Sequence, residues 1–247
     1  MEDLTFGVEI EFALALLHKG RKNPNPNDSR SPYGILIGEG SDYGFMDQMM
    51  GPDAQDAKEA QQHIIGTLAR VEIPAISEWS LHSTQSNPDE CVIGTDPTIE
   101  PPPGKYAWVK IKIRSPAFYY TDTALNQVHK MCELLCKAYR IAVTRTCGLH
   151  VHTFEHQLNK IHPEERRGEA NKYCCGIRSS SQIAYDLEER HGYGTKRLSY
   201  NILNLRGGWE QSNRTIEFRQ HENTFNSQAV VMWIKSCAGL VYSAREA

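Results

Sequence analysis

The chain has 247 residues, with 30 acidic and 27 basic side chains and a formal net charge of −3, a balance that excludes a general nucleic-acid-binding surface. Its seven cysteines follow no disulfide or zinc spacing, the adjacent Cys174 and Cys175 included, which excludes a disulfide scaffold and fits a reducing compartment. No repeat, linker or composition shift divides the chain, and this length can bury a sizeable core, so one domain over 1–247 is expected.

The N-terminus, Met1-Glu-Asp-Leu-Thr5, has no basic leader segment, and no apolar run approaches the ~20 residues needed to span a bilayer. A cytoplasmic protein with no membrane partner is expected. From Thr5 to Leu16 apolar residues alternate strictly, so Phe6, Val8, Ile10, Phe12, Leu14 and Leu16 share one face of a strand and Glu9 and Glu11 the other. Two carboxylates roughly 6–7 Å apart on one strand face repel unless a cation sits between them, which is a common beginning of a magnesium site.

Lys19 to Pro32, rich in Asn, Pro and Ser, can hold neither ladder and reads as a mobile loop, either a lid beside the first strand or an inserted surface loop. Asp53 to Arg70 reads as a packing helix with Ala57, Ala60, Ile64 and Leu68 on one stripe. Val71 to Trp79 and Val92 to Thr98 read as short strands or a hairpin. Asp96 before Pro97 suits a turn, with a ligand role as the alternative.

Alternation returns from Tyr106 to Ser115, where Ile111 and Ile113 oppose Lys110, Lys112 and Arg114; this basic face could meet phosphate or a carboxylate, or simply be solvated. After Pro116, Asp122 or Thr123 can cap a helix carrying Leu125, Val128, Cys132, Leu135 and Tyr139. The Cys147–Phe154 segment reads as a strand with His150 and His152 on one face and Leu149 and Val151 on the other, though His-x-His alone recurs in many unrelated settings.

Residues 156–191 read as mostly helical and polar, and Lys196 to Leu205 leads with Lys196, Arg197, Tyr200 and Asn201 before an apolar run. Arg214 to Thr224 reads as a strand with Thr215, Glu217, Arg219 and His221 on one face and Ile216 and Phe218 on the other. Glu217 suits a hard cation and Arg219 a planar phosphate fork, while a solvent-facing polar stripe fits the same pattern. Asn226 to Ala247 reads as a helix with Val230, Trp233, Ile234, Cys237, Leu240 and Val241 spaced for burial. Three strands, each with one apolar face and one ligand-bearing face, imply an α+β fold: a mainly antiparallel sheet with helices packed on one face and an open cleft on the other.

Gly7-Val-Glu-Ile-Glu-Phe12, Cys147-Gly-Leu-His-Val-His152 and Thr215-Ile-Glu-Phe-Arg-Gln-His221, supported by Asp96-Pro-Thr98, Arg114-Ser-Pro116 and Tyr200-Asn-Ile-Leu-Asn-Leu205, resemble the signature strands of the amidoligase family. That family belongs to the glutamine synthetase-like carboxylate–amine ligases, and the resemblance runs over nearly the whole chain. It implies an ATP-dependent ligase that joins a small-molecule or peptide carboxylate to an amine through an acyl phosphate. It further implies Mg2+ held by Glu9, Glu11, His150 and Glu217, with Mn2+ as a substitute because of the imidazole. Arg219 would stabilise the transferring phosphoryl group, Lys196 and Arg197 would face ATP, and His152 or His221 would position substrate or take the amine proton. The family pattern places an acid near the position of Lys112, so this chain departs there and is expected to bind fewer ions. Cys147, with no clearly placed base, is expected to pack and not to act as a nucleophile.

Two other readings use the same residues. A metal-dependent hydrolase would activate water with the same Glu/His set and need no nucleotide. A catalytically silent binding module on the same fold is the other, with Lys112 and the proline-rich loop as its support.

Overall fold

The computed structural model describes residues 4–17, 22–28, 30, 52–80, 89–104, 106–154, 200–201 and 215–246. Among them run strands β1 (Thr5–Leu16), β2 (Ala75–Ser77), β3 (Cys91–Thr95), β4 (Ala107–Arg114), β5 (Phe118–Tyr119), β6 (Ile141–Ala142), β7 (Gly148–Phe154), β8 (Tyr200–Asn201) and β9 (Thr215–Glu222). The helices are α1 (Pro52–Ala69), α2 (Asp122–Ala138) and α3 (Ser227–Glu246). The fold is mixed α+β, and one nine-stranded sheet has the order β2-β3-β4-β1-β7-β9-β8, with β5 and β6 also pairing β1.

Pairing is antiparallel except between β2 and β3, which run parallel. The hairpin alternative for residues 71–98 is thereby corrected, because a hairpin joins antiparallel strands. β1 lies at the centre, bonded to β4 on one side and β7 on the other. Its length follows from the unbroken alternation: Phe6, Val8, Ile10, Phe12, Leu14 and Leu16 are all buried in one cluster. The same cluster takes Ala57, Ala60, Ile64 and Leu68 of α1, the expected stripe of α2, and Val230, Ile234, Cys237 and Val241 of α3. Burying these side chains supplies the main drive for folding, at ~25 cal/mol per Å² of apolar surface removed from water.

Three details depart from the expected elements. The N-cap of α2 is Thr121, whose hydroxyl accepts from the Ala124 N–H at 3.2 Å, so the cap lies one residue before Asp122. On α3, Leu240 falls off the buried stripe and is 55% exposed. The described part of the Asn/Pro loop is pinned: the buried Arg140 guanidinium pairs with Asp28 at 3.1 Å and donates to the carbonyls of Asn25 and Arg30 at 3.1 and 3.2 Å. An ion pair and carbonyl acceptors on one buried guanidinium fix a segment that has no ladder of its own. The expected helices over 156–191 lie outside the described residues. None of the helices among the described residues is long and apolar enough to cross a membrane.

Candidate active site

Cross-strand register assembles the polar face. Glu9 stands opposite Arg114 on β4 and His150 on β7, Glu11 opposite Lys112, and His152 opposite Glu217 on β9. Directly opposed residues on antiparallel strands point to the same side. Glu9, Glu11, His150, His152 and Glu217 therefore meet on the face turned away from the apolar cluster, drawn from strands far apart in the chain.

The carboxylates are close and largely shielded. The His150 Nδ1–H donates to Glu217 Oε1 at 3.0 Å and Glu9 Oε2 at 3.2 Å. Lys112 Nζ lies 2.7 Å from Asp96 Oδ2, 3.2 Å from Glu11 Oε1 and 3.5 Å from Glu9 Oε2. Arg219 Nε is 3.3 Å from Glu217 Oε1. His152 Nδ1 meets the Thr215 hydroxyl at 3.3 Å, while its Nε2 is buried 3.7 Å from Glu9 Oε1, without a hydrogen-bond partner among the described residues.

These contacts set the charges. Burial opposes ionisation of Glu9, but the His150 hydrogen bond and the Lys112 charge bring its pKa down to about 2. Burial likewise opposes a charged His150, and the Glu217 and Glu9 hydrogen bonds overcome it, raising the pKa to about 9. For His152 burial wins and its pKa is lowered, which keeps the imidazole neutral and able to ligate. Asp96 is held at about 2, against burial, by hydrogen bonds from Lys112 and Thr98, and Lys112 is raised, against burial, by Glu9, Asp96 and Glu11.

Two positions outside the expected set shape this face. A Cβ on Gly148 would stand 2.2 Å from His150 Nε2, so the imidazole lies over a backbone that only glycine leaves bare. The Gly148 N–H also donates to Glu11 Oε2 at 2.8 Å, fixing that carboxylate. Asn223 donates to the Glu11 carbonyl. A glycine inside a ligand-bearing strand is a readable sign of close approach, whereas nothing in the local pattern marks Asn223.

His221 is not among the gathered groups. Val151 pairs Phe218 but Leu149 pairs His221, so β9 carries one extra residue, a bulge at Arg219 and Gln220. The bulge ends the alternation, turns His221 to the side of buried Leu149, and sets its ring 5.3 Å from Trp233 of α3. Thr215, Glu217 and Arg219 keep the expected face. Lys196 and Arg197 lie outside the described residues. Asp96, weighed as turn residue or ligand, closes its turn on the Thr98 N–H at 2.9 Å and also holds Lys112. Cys147 is buried, packed with Ala13 and Ile99.

Two sets of ligand atoms converge closely enough to hold a metal ion: Glu9, Glu11 and His150, and Glu9, His152 and Glu217, each within 4.8 Å. Hard carboxylates with one imidazole suit Mg2+ or Mn2+. The buried His152 Nε2, which makes no hydrogen bond among the described residues, fits a cation ligand in the second set.

A mostly antiparallel sheet with one helix-covered face and one face of carboxylates, imidazoles and guanidinium has the side chains to hold cations and anions. The chain belongs to the amidoligase family: residues 2–162, more than half of it, match the family described as "Putative amidoligase enzyme". The match takes in β1 through β7, whereas β8 and β9 lie beyond it. No curated protein and no solved structure matches the chain.

Proposed function

We propose that this protein is an ATP-dependent carboxylate–amine ligase, a single catalytic domain over 1–247 with a glutamine synthetase-like cleft on the polar face of the sheet. The observation that carries the reading is the Glu9, His152 and Glu217 set, with Arg219 beside Glu217 and Arg114 across from Glu9 on the same face. Amide formation from a carboxylate needs activation, and an acyl phosphate made from ATP supplies it. A divalent ion bound at Glu9, His152 and Glu217 would neutralise phosphate charge.

The chain's own residues then have separate roles. His150, bonded to both Glu9 and Glu217, holds their carboxylates in place. Thr215 orients His152 through Nδ1, leaving Nε2 to face the ligand. Arg219, paired with Glu217, and Arg114 bring guanidinium groups to this face for phosphate or substrate carboxylate, and among the described residues the Arg114 Nε makes no hydrogen bond. The binding-module reading draws on one observation, the Lys112 ammonium seated among carboxylates that would otherwise bind metal.

The test is calorimetry of ATP and ADP with Mg2+ or Mn2+, followed by product detection by mass spectrometry from ATP and a pooled amino-acid and amine library. Binding, ADP or AMP release and a new amide are expected. Arg219→Lys should still bind ATP while turnover falls by roughly two orders of magnitude, since lysine keeps the charge and loses the fork. Absence of nucleotide binding ends the ligase reading. Metal-dependent turnover without nucleotide points to the hydrolase, and nucleotide binding without turnover to the binding module.

A further inference from the structure

Lys112 lies in the middle of the acidic face. It stands opposite Glu11 in the β1–β4 register, so its stem runs alongside the Glu11 side chain and delivers Nζ among Glu9, Glu11 and Asp96. An ammonium has three N–H donors, and here three carboxylates surround it, the nearest at 2.7 Å. The side chain is only 21% exposed, so these contacts are shielded from solvent. Gly94 pairs with Lys112 on the other side, in β3, and Asp96 is held in its turn by Thr98, so the third carboxylate is itself fixed.

The two candidate ligand sets respond differently to this ammonium. In the set of Glu9, Glu11 and His150, both carboxylates face Lys112, Glu11 Oε2 takes the Gly148 N–H, and His150 Nδ1 is committed to Glu9 and Glu217. In the set of Glu9, His152 and Glu217, the His152 Nε2 is buried and makes no hydrogen bond among the described residues. A metal at the first set would have to displace Lys112 from carboxylates at ordinary ion-pair distance. At the second it would meet an imidazole nitrogen that makes no hydrogen bond among the described residues.

We infer that Lys112 is a built-in cation: its ammonium fills the Glu11 and Asp96 half of the face and confines divalent metal to Glu9, His152 and Glu217. The inference deepens the proposed ligase site and rests on that reading for the metal at the second set, but the role of Lys112 is measured separately. Removing the ammonium opens a second ion site at Glu9, Glu11 and His150.

The experiment counts Mn2+ bound to the chelator-treated full chain, by calorimetry with electron paramagnetic resonance of the free ion, in wild type, Lys112→Gln and Lys112→Arg. Lys112→Gln is expected to bind one more Mn2+ than wild type, and adding Glu11→Gln should remove that extra ion. Lys112→Arg, which keeps a cation there, should match wild type. An unchanged count in Lys112→Gln, or an extra ion in Lys112→Arg, overturns the inference. If Lys112→Gln is insoluble, Asp96→Asn removes one of the uncompensated charges, and the same count is made on the double variant. A wild type that binds no Mn2+ removes the metal from the proposed ligase site, while the difference between wild type and Lys112→Gln still decides the role of Lys112.

Discussion

The two halves of the acidic face share Glu9 but are neutralised differently. Around Glu11 and Asp96 the protein supplies its own cation, with Lys112 2.7–3.5 Å from the carboxylates. Around His152 and Glu217 it supplies His150 and Arg219 to the carboxylate, while the His152 Nε2 makes no hydrogen bond among the described residues. The first half is closed on itself, and the second is organised but incomplete. Like carboxylates on neighbouring strands thus stand in two settings, one balanced by an internal ammonium and the other, on the function proposed above, by an external cation.

The strongest way to break the contrast is to take away the internal cation. In metal-free buffer, Lys112→Met leaves Glu11 and Asp96 shielded from water without their ammonium, and breaking such a pair typically costs about 3–5 kcal/mol. Urea unfolding should show that loss as a lower midpoint. A loss below about 1 kcal/mol, the worth of a surface pair, would mean that the ammonium is solvated and the half is not closed.

His150 links the halves, because its Nδ1 bonds both Glu9 and Glu217. Its pKa is raised from 6.5 to about 9, so its contribution is fully present below pH 6.5 and is lost as pH rises through 9. The linkage is worth on the order of 3 kcal/mol for a group this buried. Metal-free wild type should lose stability between pH 6.5 and 9, and His150→Gln should flatten that slope. Equal slopes in the two proteins would show that the imidazolium does not hold the carboxylates together.

Metal addition sharpens the contrast from the other side. At ~100 times its dissociation constant, a single bound ion contributes about 2.7 kcal/mol, visible as a higher Tm in Mn2+ or Mg2+. Glu217→Gln and His152→Asn should abolish the increment, whereas Glu11→Gln should keep most of it. The reverse order of sensitivity would place the ion in the half assigned to Lys112.

Legibility in the sequence followed the regularity of the backbone. The faces of β1 could be read because its alternation is unbroken from Phe6 to Leu16, and its ladders to β4 and β7 keep step with it. β9 shows the same alternation in sequence, but the bulge at Arg219 and Gln220 inserts one residue and sends His221 toward Trp233. A bulge depends on the partner strand, and no local pattern announces it. The departure at Lys112 was visible as a residue type, but its three carboxylate partners were not, because they depend on register between β1 and β4 and on the turn at Asp96. Arg140 reaching back to the Asn25 and Arg30 carbonyls is illegible for the same reason, being a contact across more than a hundred residues. The α2 stripe needed only helical spacing: Leu125, Val128, Cys132 and Leu135 are buried as read, joined by Ala124 and Met131, while Tyr139 is buried as the extended C-cap just past the helix.

The smallest expected effect is at Cys147, which stands next to Gly148 at the edge of the site without joining it. Its side chain packs with Ala13 and Ile99, and its sulfur accepts from the Thr144 N–H at 3.4 Å. No imidazole is among its described hydrogen-bond partners, which are the Thr144 N–H and hydroxyl. An acyl phosphate route needs no thioester, so Cys147→Ala should retain ATP-dependent turnover within about threefold, a barrier change below about 1 kcal/mol. The lost packing should cost about 1 kcal/mol of stability, as for most point substitutions. Turnover and urea midpoint are measured on the same preparation. A folded Cys147→Ala protein without turnover would replace the acyl phosphate with covalent transfer through the thiol and move the reacting centre to the Glu11 side of the face.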